Sequence, residues 1–83
     1  MKVTKYPGKI EIDLHGLMRD DAEYRLRHLL TNAGKDVKEV VVIHGYSRGT
    51  ALRDMVRQDL THPRIAAKLP TLNEGTTRLL LKK

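Results

Sequence analysis

Two histidines, each followed at once by glycine, carry most of the chemistry this sequence could do: His15-Gly16 and His44-Gly45. Each closes an apolar or alternating stretch, so each imidazole ends a strand. If those strands are parallel, both rings lie at the carboxyl edge of the sheet, where open α/β sheets place their ligands. Neighbouring strands would set them about 5 Å apart in the hydrogen-bonding direction, and one intervening strand about 10 Å. Asp13 precedes His15 by two residues, on the same face and about 6.6 Å back along the strand. Three chemistries fit. The imidazoles can act as general base and general acid in phosphodiester cleavage, with Asp13 orienting or charging one of them. Asp13, His15 and His44 can instead hold a divalent metal with open positions. Both histidines can simply donate to a bound phosphate. The competing reading is that each ring is bonded to backbone at its strand end.

The second histidine opens a loop bracketed by Gly45 and Gly49, with Tyr46, Ser47 and Arg48 inside it. A helical pattern follows, and Arg53 and Arg57, four residues apart, share one of its faces. Strand, Gly-rich turn and helix form the usual recipe for holding an anion, because unpaired N–H groups and the positive dipole end face the turn. Tyr46 could stack on a splayed base. Gly16, Gly45, Tyr46, Ser47, Arg48, Gly49, Arg53 and Arg57 are therefore the expected nucleic-acid contacts.

The elements that must position these residues are readable in order. Residues 9–15 alternate, with Ile10, Ile12 and Leu14 on one face and Glu11, Asp13 and His15 on the other. A helix is expected from Leu17 to about Asn32. Asp20 and Asp21 lie in its favourable first turn, and Ala22, Leu26, Leu29, Leu30 and Ala33 form its apolar stripe. Glu23 and Arg27 are placed for an i,i+4 pair, and Gly34 is the expected stop. Val40 to Ile43 is an unbroken β-branched run, read as a strand buried on both faces. A second helix spans about Thr50 to Leu60 and cannot continue past Pro63. Residues 64–69 are expected as a short strand. The Asn73-Glu74-Gly75 turn leads into a last strand over Thr76 to Leu81. Met18 and Met55 are assigned to the core or its margin, His28 and His62 to the surface. Residues 1–8 read as an N-terminal extension, 9–81 as the domain and 82–83 as a basic tail.

This β-α-β-α-β-β order implies an α+β, two-layer domain of the α/β class. Four strands make a mixed sheet, parallel at first and closed by an antiparallel hairpin, with both helices on one face. At 83 residues there is one modest core. The net charge of +6 favours polyanions, nucleic acid first and an anionic membrane surface second. Phe and Trp are absent and there are three tyrosines, which excludes a sheet-borne aromatic platform for RNA. No cysteine is present, which suits a reducing cytoplasm. No stretch reaches the roughly 20 apolar residues of a membrane span.

The pairing of Ile12-Asp13-Leu14-His15-Gly16 with Val42-Ile43-His44-Gly45 resembles the Smr domain, the small module related to the C-terminus of MutS2. That family carries L-D-L-H-G near its start and H-G-x-G near its middle. Motif spacing, the Ala51-Leu52-Arg53 helix start, His62-Pro63 and Asn73-Glu74-Gly75 extend the likeness over about residues 9–81. The resemblance implies a fold similar to the C-terminal domain of bacterial translation initiation factor three. It implies binding to DNA or RNA, with the ribosome as a further partner; the chain is read as a stand-alone bacterial member, expected as a monomer rather than an oligomer. The resemblance also implies endonuclease activity in several members. Mg²⁺ or Mn²⁺ is the candidate cofactor on the metal reading of Asp13, His15 and His44, and no cofactor is required on the two-imidazole reading. Asp13, His15, Gly16, His44 and Gly45 are the positions that match the motifs. Ser47 stands where the family has its second glycine, and Gly49 arrives later, so the loop is longer. The intact first motif favours a weak endonuclease; the altered loop favours a non-catalytic module for RNA, ribosomes or structured DNA.

Overall fold

Every second residue of three strands points into one apolar layer, and that alternation sets the architecture. The computed structural model describes residues 1–45 and 49–82. Its elements are β1 (Lys2–Tyr6), β2 (Lys9–Asp13), α1 (Arg19–Asn32), β3 (Glu39–Ile43), α2 (Ala51–Asp54), β4 (Ile65–Pro70) and β5 (Thr76–Leu81). A π-helical segment, Met55–Asp59, continues α2 directly. Ile10 and Ile12 of β2, Val40 and Val42 of β3, and Leu79 and Leu81 of β5 are all buried in one cluster. α1 adds Ala22, Leu26 and Leu30, and the second helix adds Met55, Val56 and Leu60. Both helices therefore pack on the same face, as the sequence implies.

The strand order is β1-β2-β3-β5-β4. β2 and β3 are parallel neighbours, with Asp13 opposite Ile43. β5 pairs antiparallel with both β3 and β4. The sheet has five strands rather than the expected four, because residues 2–6 add an edge strand antiparallel to β2. The Pro7-Gly8 turn folds it back. Its residues are exposed or half-buried on both sides, so no apolar alternation marks it in the sequence.

Two helix details also differ from expectation. The second helix has its predicted extent but not its predicted winding: the Leu60 N–H donates to the Met55 carbonyl at 2.7 Å, an i→i+5 bond. α1 ends after Asn32 as predicted, but Gly34 does not take the left-handed conformation of a helix stop. Arg64 instead donates to the Leu30 carbonyl at 3.1 Å, to the Gly34 carbonyl at 3.2 Å and to the Ala33 carbonyl. A guanidinium thus satisfies carbonyls that the helix leaves open.

Candidate functional site

β2 and β3 end side by side, and that sets the site. The Leu14 N–H donates to the Ile43 carbonyl at 2.8 Å, one step beyond the paired residues. His15 and His44 then leave the same edge of the sheet. Their environments are opposite.

Asp13 accepts the His15 backbone N–H at 3.0 Å, and its Oδ1 lies 2.5 Å from His15 Nδ1. Since a carboxylate only accepts, Nδ1 carries the proton and Nε2 is left as the basic nitrogen. Burial pushes the Asp13 carboxyl up, but the His15 side-chain bond, the His15 backbone bond and the attraction of its charge hold it below the ordinary value. Asp13 is thus anionic at neutral pH. The His15 side chain is 72% exposed. Gly16 follows at φ +85°, turning the chain sharply toward α1.

His44 is only 3% exposed. Its Nδ1 lies 2.9 Å from the Gly45 carbonyl and its Nε2 lies 2.8 Å from Thr77 Oγ1. Arg57 Nε donates to that same hydroxyl at 2.8 Å. Only one proton arrangement satisfies every group: Arg57 donates to Thr77, Thr77 donates to His44 Nε2, and His44 Nδ1–H donates to Gly45. The ring is neutral, and burial pushes its pKa below the ordinary imidazole value, against the Gly45 bond that raises it. Arg57 and Arg53, both cationic, push it the same way as burial. His44 is thus the bonded strand-end histidine, and Thr77 is the buried hydroxyl that orients it. Thr77 lies on the same strand face as Leu79 and Leu81, a polar residue in core register; that was the signal for it in the sequence.

The turn before β5 forms another wall. The Gly75 carbonyl accepts from His44 N at 2.9 Å and from Gly45 N at 3.0 Å. Glu74 beside it engages the arginine pair, 3.2 Å from Arg53 Nη1 and 3.9 Å from Arg57 Nη1. Arg57 also donates to the Thr76 carbonyl at 3.0 Å. Arg53 and Arg57 share a face, as expected, but a carboxylate already sits on that face.

Between the starts of α1 and α2 lies a cleft of about 800 Å³, lined by His15, Gly16, Met18, Arg19, Gly45 and Gly49 among others. Met18, expected near the core, is 80% exposed at its rim. α1 opens onto this cleft without a side-chain cap. Arg19 was not singled out in the sequence, although a cation in the first turn of a helix opposes the dipole and so asks for another reason. That reason is visible: Arg19 bonds Asp20, Glu23 and Asp59, tying α1 to the end of the second helix. Tyr46, Ser47 and Arg48, expected contacts inside the loop, lie outside the described residues, as does Lys83 of the basic tail. Among the described residues no three His, Asp or Glu side chains converge as metal ligands. Asp13 and His15 come together; the His44 ring faces away from them, toward β5.

A two-layer α+β module with paired strand-end His-Gly turns over a cleft defines the class. The chain belongs to the Smr domain family, whose sequence model matches residues 12–77. That family is associated with nucleic-acid binding and nuclease activity. Among solved structures, the chain is similar to the Smr domain of Thermus thermophilus MutS2, with a TM-score of 0.79 and 24% identity. The alignment covers 88% of this chain and 98% of that one. No curated protein matches the sequence. Among the described residues no helix is long and apolar enough to cross a membrane.

Proposed function

We propose that this Smr domain binds the backbone of DNA or RNA in the cleft beside His15 and cleaves it slowly as an endonuclease. The Asp13–His15 pair carries the reading. A carboxylate fixes the imidazole tautomer, and the other ring nitrogen is basic and open to solvent at the cleft mouth. This is the arrangement of an oriented general base. In the proposed step His15 Nε2 takes the proton from the attacking hydroxyl or water as its oxygen adds to phosphorus. The P–O bond opposite breaks, and the leaving oxygen takes a proton from solvent. The uncapped start of α1 offers N–H groups to a phosphate oxygen.

A second reading, a non-catalytic binding module, is favoured by His44. Both its ring nitrogens are bonded, so a two-imidazole acid–base relay lacks its second member.

The test is incubation of the purified protein with labelled RNA and supercoiled DNA, with Mg²⁺, with Mn²⁺ and with EDTA. Cleavage is expected to survive EDTA and to fall at least about 100-fold in His15→Ala, the usual worth of a positioned base. Asp13→Asn should fall less than His15→Ala. Equal cleavage by wild type and a His15→Ala/His44→Ala double variant would leave the binding module as the better reading.

A further inference from the structure

Among the described residues the free positive charge is not confined to the histidine edge, where Lys2 stands opposite Asp13. Among the described residues the guanidinium groups near the cleft are paired: Arg19 with Asp20, Glu23 and Asp59, Arg53 with Asp54 and Glu74, and Arg57 with Glu74. Arg25, Arg27 and Arg78 pair with Asp21, Glu23 and Glu39. Among the described residues no lysine takes part in an ion pair.

Three of those lysines gather at the opposite end of the sheet. Lys38 precedes β3, and its carbonyl accepts from Leu81 N at 2.8 Å, which sets Lys82 beside it. Lys82 N donates in turn to the Arg64 carbonyl at 2.8 Å. Lys35, Arg64 and Lys82 line one cleft of about 590 Å³. The Arg64 guanidinium is directed to the end of α1, where it offsets the negative dipole end that would otherwise repel an anion. The Lys35, Lys38 and Lys82 residues are all exposed. Of the carboxylates at this end, Glu39 is held by Arg78 at 2.7 Å, which leaves Asp36.

We propose that Lys35, Lys38 and Lys82 form a second nucleic-acid contact, a pole that takes phosphate backbone without reading sequence. The proposal rests on the reading that this domain handles nucleic acid. A five-residue strand separates the pole from the histidine edge, roughly 17 Å. One phosphate group cannot touch both, so a single nucleic-acid chain is held at the pole and presented at the cleft. Nucleic acid fits better than a membrane surface. The exposed large apolar side chains among the described residues are Met1, Val3, Tyr6, Met18, Tyr24 and Leu72. None belongs to the residues of this cleft, so no apolar anchor accompanies the charge there.

The test compares wild type with Lys35→Gln/Lys38→Gln/Lys82→Gln and with Arg53→Gln. Binding to a labelled duplex is measured across a salt series, with anionic vesicles as a parallel probe. The triple variant should bind the duplex at least tenfold more weakly at low salt. Its log–log salt slope should shrink by about 2.7, the value for three lost phosphate contacts at about 0.9 each. Arg53→Gln should leave most of the slope. If the triple variant keeps wild-type affinity and slope while Arg53→Gln loses both, the pole is wrong and the edge reading stands. If wild type binds no duplex or RNA even at low salt, both readings fall. Vesicle binding lost in the triple variant, with duplex binding unchanged, would make the pole a membrane contact and overturn the proposal.

Discussion

Two histidines that look equivalent in the sequence differ in what their neighbours leave them to do. His15 shares a strand face with Asp13, opposite the buried Ile12 and Leu14, so its exposure follows from alternation. His44 follows the same rule with the opposite result, since it falls in register with the buried Val40 and Val42. The unbroken run Val40 to Ile43 conceals this, because it reads as buried on both faces while Val41 and Ile43 are only half-buried. The neutral relay through Thr77 has two measurable consequences. Thr77→Val leaves His44 Nε2 and Arg57 Nε without their partner and should destabilise the domain by about 1–3 kcal/mol, read by denaturant unfolding. Thr77→Ser, which keeps the hydroxyl, should lose much less. The second consequence is a pH dependence. A histidine whose folded pKa lies below its unfolded value leaves the unfolded chain holding more protons, so stability rises with pH. That stability is complete above about 6.5 and is lost as pH falls toward the folded value. The slope from one such group is at most about 1.4 kcal/mol per pH unit. His62, whose pKa burial also depresses, contributes with the same sign. Unfolding curves between about pH 7.5 and 5 should flatten in His44→Gln and, separately, in His62→Gln. A slope unchanged in His44→Gln would mean that the ring is not held neutral.

Elements decide how far the histidines can be placed, and here the neighbouring ends of β2 and β3 matter most. Gly45 takes φ +74°, and a Cβ there would stand 3.7 Å from His15 Cβ, an ordinary contact. Gly45→Ala should therefore lose stability through backbone conformation alone, about 1–2 kcal/mol in thermal or denaturant unfolding. Cleavage should suffer too if His15 depends on that turn. Both helices, the parallel pair and the closing strand are legible in the sequence because each has an apolar period and a turn residue at its end. β1 is not, since an edge strand exposed on both sides buries too little to leave a pattern. The contacts of the turn at residues 73–75 are not legible either. A turn signal shows that the chain reverses; it does not show that Gly75 bonds His44 and Gly45, or that Glu74 meets two arginines of the second helix.

At the scale of the whole molecule, one cluster of unpaired lysines lies apart from the histidines. The domain measures 34 × 25 × 22 Å, with the histidine edge at one end of the sheet and Lys35, Lys38 and Lys82 at the other. The net charge alone pointed to a polyanion; only the ion pairs reveal which cations are already matched. If one nucleic-acid chain meets both ends, affinity should depend on its length. A series of single-stranded oligonucleotides should bind more tightly with each added length until the strand spans the roughly 17 Å between the lysine pole and the histidine edge, and then level off. Affinity independent of length from the shortest member on would indicate a single point of contact.

The π-helical segment Met55–Asp59 amounts to one residue more than an α-helix needs between two fixed points. Met55, Val56 and Leu60 all remain in the core, so the surplus is taken up in the winding while the buried side stays filled. Gln58 is exposed there, and its removal would shorten the span to a length that an ordinary helix closes. The chain would then join the same two buried anchors, Met55 and Leu60, through a tighter coil. The wide turn is in this sense a length adjustment, and what it adjusts is the spacing of Met55 and Leu60 in the core.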